Sequence, residues 1–123
     1  MERLLLVMVG GAVGSALRYG LAHWMQGWGL AGGFPWWTLA ANVLGSFAIG
    51  LVMAGIQTGP LSENARLFLA VGVLGGFTTF SSFSYETLAM IEQNRWDKAL
   101  LYVSSSVVLG LLAVWLAYRW ARG

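Results

Sequence analysis

Four stretches of this chain are nearly free of charge and each is roughly 20 residues long, the length that crosses a bilayer as a helix. They run from Leu4 to about Trp24, Trp36 to Ile56, Leu67 to about Met90, and Ala99 to Tyr118. The second and fourth carry no charge, the first is interrupted only by Arg18, and the third carries Glu86 near its end. A typical soluble domain is about 25% charged, whereas this chain of 123 residues is 10% charged and cannot clothe a small globule in polar groups. The expected fold is therefore an all-α membrane protein, one domain of four transmembrane helices. A length of this kind leaves no room for separate cofactor and substrate domains.

The connecting segments agree with these spans. A Gly/Trp/Pro loop (Met25 to Pro35), a polar turn (Gln57 to Arg66) and a short charged turn (Glu92 to Lys98) separate them, and both prolines, Pro35 and Pro60, fall in loops. Trp24, Trp28, Trp36, Trp37, Trp96 and Trp120 stand at or near the span ends, where interfacial tryptophans anchor. Arg3 before an apolar run resembles a secretory signal. Glu2 cancels that charge and Arg18 follows in place of a small-residue cleavage site, so the segment reads as a retained helix.

The charges speak to orientation and partners. An even number of spans puts Arg3, Arg66, Arg119 and Arg122 on one side and Arg95 and Lys98 on the other, with Arg18 buried close to that second face. A bias of four against two or three is weak, which permits insertion both ways round. No internal repeat is visible, so any two-fold symmetry has to come from a second chain, and an antiparallel homodimer is the expectation. The seven cations are scattered, unlike the basic stripe of a nucleic-acid binder. With no cysteine, a single histidine (His23), no nucleotide loop and no nucleophile beside a base, the chain is expected to bind neither nucleic acid nor nucleotide and not to be an enzyme.

Several residues inside the spans ask for a partner. Gly10 and Gly14, Ala41 and Gly45, Ser46 and Gly50, and Gly72 and Gly76 stand four apart, the spacing that lets helices approach closely in lipid. Gly75 and Gly76 are adjacent at mid-membrane and predict a break in the third helix there; a break at that depth survives only where freed carbonyls meet protein, water or an ion. Thr78, Thr79, Phe80, Ser81, Ser82, Phe83 and Ser84 follow, five hydroxyls and two phenyl rings. Phe80 and Phe83, three apart, lie on one helix face, with Phe77 one further step back. Their rings either pack or turn a positive edge toward an anion. Asn42 must either bond a neighbouring helix or offer its N–H to an anion. Tyr102, Ser104, Ser105 and Ser106 make a polar stripe, with Tyr102 and Ser106 on one face, that either joins helices or lines a path. Arg18 either draws anions into a vestibule or snorkels, and Glu86 either pairs with it or lines a water-filled mouth. A lining of neutral donors with one cation and one peripheral acid suits a small anion better than a metal cation.

The motifs GGAVGSALRY (Gly10 to Tyr19), NVLGSFAIG (Asn42 to Gly50) and GVLGGFTTFSSFSYET (Gly72 to Thr87) closely resemble the Fluc family of small microbial fluoride channels, and the likeness covers essentially the whole chain. The resemblance implies a dual-topology homodimer in the cell membrane, with two antiparallel pores through which fluoride leaves passively. It implies that Phe80 and Phe83 line the pores with Asn42 beside them, and that Tyr102 and Ser106 begin a polar track. It further implies that Arg18 sits at the vestibule and that the Gly75 and Thr78 carbonyls hold a structural Na⁺. On their own chemistry, Thr79, Ser81, Ser82 and Ser84 are expected to form part of a polar track and Glu86 to stand at the pore mouth. Gly110 and Val114, one and two turns beyond Ser106, carry no hydroxyl and depart from that pattern. A proton-coupled exchanger of the small multidrug-resistance type is the alternative, but it needs a carboxylate inside the first span, where only Arg18 stands. A purely structural membrane subunit is a third reading.

The weak charge bias generates a test. Lysines added to the second loop in one variant and to the first loop in another are expected to fix opposite orientations. Either variant alone should be inactive in fluoride efflux and the co-expressed pair active; full activity from one fixed orientation would exclude the antiparallel dimer.

Overall fold

The computed structural model describes residues 1–27 and 33–123, and these are helical apart from short connections. Helix α1 spans Glu2–Gln26 and α2 spans Trp36–Thr58. Helix α3 runs on through Glu63–Arg66, Leu67–Leu74 and Gly75–Phe77; α4 covers Phe80–Glu92 and α5 covers Trp96–Arg122. With α3 and α4 taken as one crossing, four spans are long and apolar enough to traverse a bilayer. The helices reach past the apolar stretches because backbone bonding continues until a stop signal intervenes. For α2 that signal is Gly59, whose φ of 101° suits a residue without Cβ and lets the N–H groups of Gly59 and Leu61 both return to the Gly55 carbonyl. Ser62 then caps α3 by accepting from the Ala65 N–H. Trp24, Trp36, Trp96 and Trp120 are exposed at helix ends, while Trp28 lies outside the described residues.

Lipid supplies no hydrophobic drive for one helix to seek another, so packing has to come from close backbone contact. Helix α1 lies along α3, and α2 along α5. A Cβ at Gly10 would sit 2.5 Å from the Phe68 carbonyl oxygen and 2.9 Å from Gly72 Cα, and one at Gly76 would sit 2.5 Å from the Gly11 carbonyl oxygen. A Cβ at Gly14 would overlap the Val73 carbonyl. Gly10, Gly14, Gly72 and Gly76, four of the glycines that the spacing picked out, thus form one seam between α1 and α3. On the other side Gly50 faces the Val114 carbonyl and Ala117, and Ala54 and Ala117 are fully buried.

The third crossing differs from expectation in where it breaks. Gly75 keeps helical angles, φ −60° and ψ −38°, and the extended residues are Thr78 and Thr79. The adjacent glycines therefore do not interrupt the helix; Gly76 serves the α1 seam instead. The break also ends the register that would have stacked Phe77 behind Phe80 and Phe83. Phe77 belongs to α3, with its ring near Gly45. Ahead of the break, Leu67–Leu74 is wound as a π-helix, a wider turn often found near functional sites. At the end of the bundle that holds the first and third loops, Phe34, Leu39, Met90, Ala99 and Tyr102 form a compact core.

The seam makes a sharp prediction. Gly14→Ala should destabilise the folded protein by about 1–3 kcal/mol, the usual cost of overpacking, because its Cβ meets fixed backbone. Gly20→Ala, with nothing within 4 Å of the added carbon, should be neutral or stabilising. Thermal unfolding in detergent followed by size-exclusion chromatography distinguishes the two; equal losses would mean that the seam is not the close contact described.

Candidate functional site

A helix running on through residues 78 and 79 would give the Thr79 N–H to the Gly75 carbonyl and the Ser82 N–H to the Thr78 carbonyl. Neither bond forms. The Thr79 N–H donates to Asn42 Oδ1 at 2.9 Å, Asn42 Nδ2 donates back to the Thr79 carbonyl at 3.2 Å, and the Ser82 N–H donates to Thr79 Oγ1 at 3.2 Å. Thr79 is thereby the N-cap of α4, and Asn42 holds its backbone in the extended form. Upstream, the N–H and the hydroxyl of Thr78 both donate to the Leu74 carbonyl, at 3.0 and 2.9 Å. Two carbonyls, those of Gly75 and Thr78, have had their helical donors diverted to side chains. Of the two uses the sequence left open for Asn42, the interhelical bond takes its oxygen and one amide proton; the second proton on Nδ2 is left over.

The break also sets two helix ends against each other in the middle of the bundle. The C-terminal end of α3 is negative, and Arg18 Nε donates to the Gly76 carbonyl there at 3.1 Å. The side chain reaches that depth because Cα–Cβ bonds on α1 tilt toward its N-terminus. The N-terminal end of α4, which is positive, carries Phe80 and Phe83, with ring centroids 5.9 Å apart.

Beside the break lies an open pocket of about 430 Å³. Its polar lining is Asn42, Ser46, Thr78, Thr79 and Ser106, its aromatic lining is Phe80 and Phe83, and among the described residues no charged one borders it. Phe80 is largely exposed, whereas Phe83 is half-buried and packs its ring 5.0 Å from that of Tyr102. The Ser106 hydroxyl is buried and has no hydrogen-bond partner among the described residues. Ser81, Ser82 and Ser84 do not border the pocket: Ser81 Oγ lies 3.4 Å from Thr79 Oγ1, Ser82 contributes its N–H to the cap, and Ser84 is exposed.

Glu86 is placed differently from the sequence expectation. It does not meet Arg18; its two oxygens accept from the Thr38 hydroxyl and from the Tyr102 hydroxyl, each at 2.9 Å. The carboxylate thereby ties α2, α4 and α5 together, and Tyr102, fully buried with its hydroxyl on Glu86, is not among the residues that border the pocket. Thr38 is a residue that reading the sequence missed. Its signal was present, because Thr38, Asn42 and Ser46 recur every fourth residue and form one polar stripe along an otherwise apolar helix. Among the described residues no group of three or more acidic, cysteine or histidine side chains is arranged for a metal.

The fold and pocket together define a class: a multi-pass membrane protein whose neutral polar groups gather beside a broken helix. Residues 5–118 match the family described as CrcB-like protein, Camphor Resistance (CrcB), and the chain belongs to that family. Among its relatives are proteins named fluoride-specific ion channel FluC. One from Thermus thermophilus is 62% identical over 118 residues, 96% of this chain and 92% of the relative. Another, from Roseiflexus sp., is 47% identical over 121 residues, 97% of this chain and 96% of the relative.

The clamp on Thr79 can be tested by substitution. Asn42→Ala strands both the N–H and the carbonyl of Thr79, and should cost about 2–4 kcal/mol at roughly 1–2 kcal/mol for each group left unpaired. Asn42→Asp keeps the acceptor for the N–H, but sets a negative oxygen against the Thr79 carbonyl and into the pocket, and should impede anion passage more than it destabilises. Unfolding midpoints and anion flux for both variants check this; an unaltered midpoint for Asn42→Ala would refute the clamp.

Proposed function

We propose that this chain is a fluoride-selective channel that vents fluoride from the cytoplasm down its gradient and so protects the cell from fluoride toxicity. The observation that carries the reading is the uncharged pocket, in which Asn42, Thr79, Ser106 and the Phe80 and Phe83 rings stand together beside the break. Relatives named as fluoride-specific channels and covering nearly the full chain support the same conclusion. Fluoride is small and strongly hydrated, so a pore has to replace its water with several modest donors, none strong enough to trap the ion. The spare amide proton of Asn42, the unpartnered Ser106 hydroxyl, the positive edges of the two phenyl rings and the N-terminal end of α4 meet that demand. Arg18, held at the Gly76 carbonyl, adds a positive potential without entering the pocket. The pathway involves no covalent step, consistent with a transporter that is not an enzyme.

Assembly is part of the proposal. One chain leaves large apolar side chains such as Phe80, Leu101, Leu111 and Trp115 exposed and its pocket open on one side, and a second, antiparallel copy would close it and supply a second pore. The Gly75 and Thr78 carbonyls fit a structural Na⁺ at the dimer axis, since both have lost their helical donors and hard oxygen ligands suit that ion. A cation bound there would neutralise carbonyl dipoles that lipid cannot satisfy and would join the two chains.

Purified protein in liposomes, loaded with fluoride and followed by a fluoride electrode, tests the reading. Wild type should release fluoride rapidly without a proton gradient and should retain chloride. Phe80→Ile and Phe83→Ile should each slow release by about fivefold, because bulk is kept while the ring edge, worth about 1 kcal/mol, is lost. Wild-type rates in both would remove the rings from the pathway. Exchange of Na⁺ for a large organic cation should lower flux or dimer stability and leave the fluoride reversal potential unchanged; full activity after exhaustive exchange would count against the site.

A further inference from the structure

Ser46 shares the polar face of α2 with Asn42, one turn further along, and borders the same pocket as Asn42, Thr79 and Ser106. A serine inside a spanning helix usually returns its hydroxyl to the carbonyl four residues back. Thr58, Thr78 and Thr87 do so here, to Ala54, Leu74 and Phe83. Ser46 makes no hydrogen bond among the described residues, to backbone or side chain, and neither does the buried Ser106 hydroxyl that borders the pocket from α5.

What faces Ser46 is equally informative. One turn beyond Ser106 on α5 stands Gly110, and a Cβ built there would lie 3.5 Å from Ser46 Oγ, an ordinary van der Waals contact. The neighbouring glycines have quite different surroundings: a Cβ on Gly50 would sit 2.6 Å from the Val114 carbonyl oxygen and one on Gly45 would overlap the Thr78 side chain, so both are needed for helix approach. Gly110 is not. No backbone atom presses on its missing side chain, and the space there is taken by the Ser46 hydroxyl alone. A turn of α5 that could carry a side chain has been left bare opposite a hydroxyl with no protein partner.

We infer that Ser46 is an anion-contacting residue of the conduction path, continuing from α2 the line of hydroxyls that on α5 ends at Ser106, in the space that Gly110 leaves open. The inference rests on the channel reading and deepens it by naming a further donor. Fluoride moving past Ser106 would exchange that hydroxyl for the one on Ser46, a neutral donor again, so the ion is passed on without being held. The crossing from α5 to α2 also explains why both hydroxyls are free: one engaged by a carbonyl would have no proton to offer.

The test is a rescue. In liposomes Ser46→Ala should slow fluoride release by about tenfold, the scale of one lost hydrogen bond to a charged group. Moving the hydroxyl across the gap, in the double variant Ser46→Ala with Gly110→Ser, should restore at least half of the loss, since the new side chain starts 3.5 Å from where the Ser46 oxygen stood. Ser46→Thr, which keeps the hydroxyl, should conduct. Dimer content and unfolding midpoint are read for each variant, and a purely structural serine would not be rescued from the opposite helix. Wild-type release by Ser46→Ala would overturn the inference while leaving the channel reading intact, as would a folded Ser46→Ala protein that stays slow in the double variant. Absence of fluoride release by wild type itself would instead sink the channel reading.

Discussion

The exchange of two hydrogen bonds between Asn42 and the backbone of Thr79 is the constraint on which the rest of this structure depends. A helix cannot simply stop in hydrocarbon, because each abandoned N–H or carbonyl costs several kcal/mol where no water can reach it. One amide side chain on α2 meets both groups of Thr79, and the Thr79 hydroxyl in turn accepts from the Ser82 N–H in the first turn of α4. With those three bonds made, the chain can change direction at mid-membrane and begin a second half-helix. Everything distinctive about the site follows: two opposed helix ends, two carbonyls without helical donors, and a pair of phenyl rings carried at the start of α4.

Around that point the molecule divides its labour between close packing and polar ties. Helices α1 and α3 meet through glycines, which brings backbone against backbone and gives α3 a rigid wall from which to break. Helices α2 and α5 also meet closely, at Gly50, and hydrogen bonds tie α4 to both, with Glu86 accepting from Thr38 and Tyr102. A carboxylate used in this way positions the rings, since Tyr102 packs against Phe83, without presenting its own charge to the pocket. Arg18, the one cation set inside the apolar part of a span among the described residues, likewise donates to a carbonyl. The pocket is left with donors that are neutral and modest, the chemistry a permeating anion requires.

Membership of the CrcB-like family and the full-length similarity to proteins named as fluoride channels agree with what this geometry can do. The agreement concerns the chain as a whole. On α5, Gly110 and Val114 offer no hydroxyl beyond Ser106, and the polar stripe of α2 runs alongside.

The four crossings were legible in the amino-acid order because a bilayer imposes a length and a polarity that no later contact can alter, and the glycine pairs of α1 and α3 were legible because closeness in lipid requires missing side chains. That a break occurs in the third crossing could also be read, from an improbable density of glycine and hydroxyl residues. Its position could not. Adjacent glycines at 75 and 76 are the weakest point for a helix on local grounds, yet the chain turns at Thr78 and Thr79, because a break settles where its freed groups find partners and those partners lie 37 residues away on α2. The same reason hid the roles of Glu86, Arg18 and Thr38. Sequence shows that a buried polar group must be satisfied, while only the packed structure decides by whom.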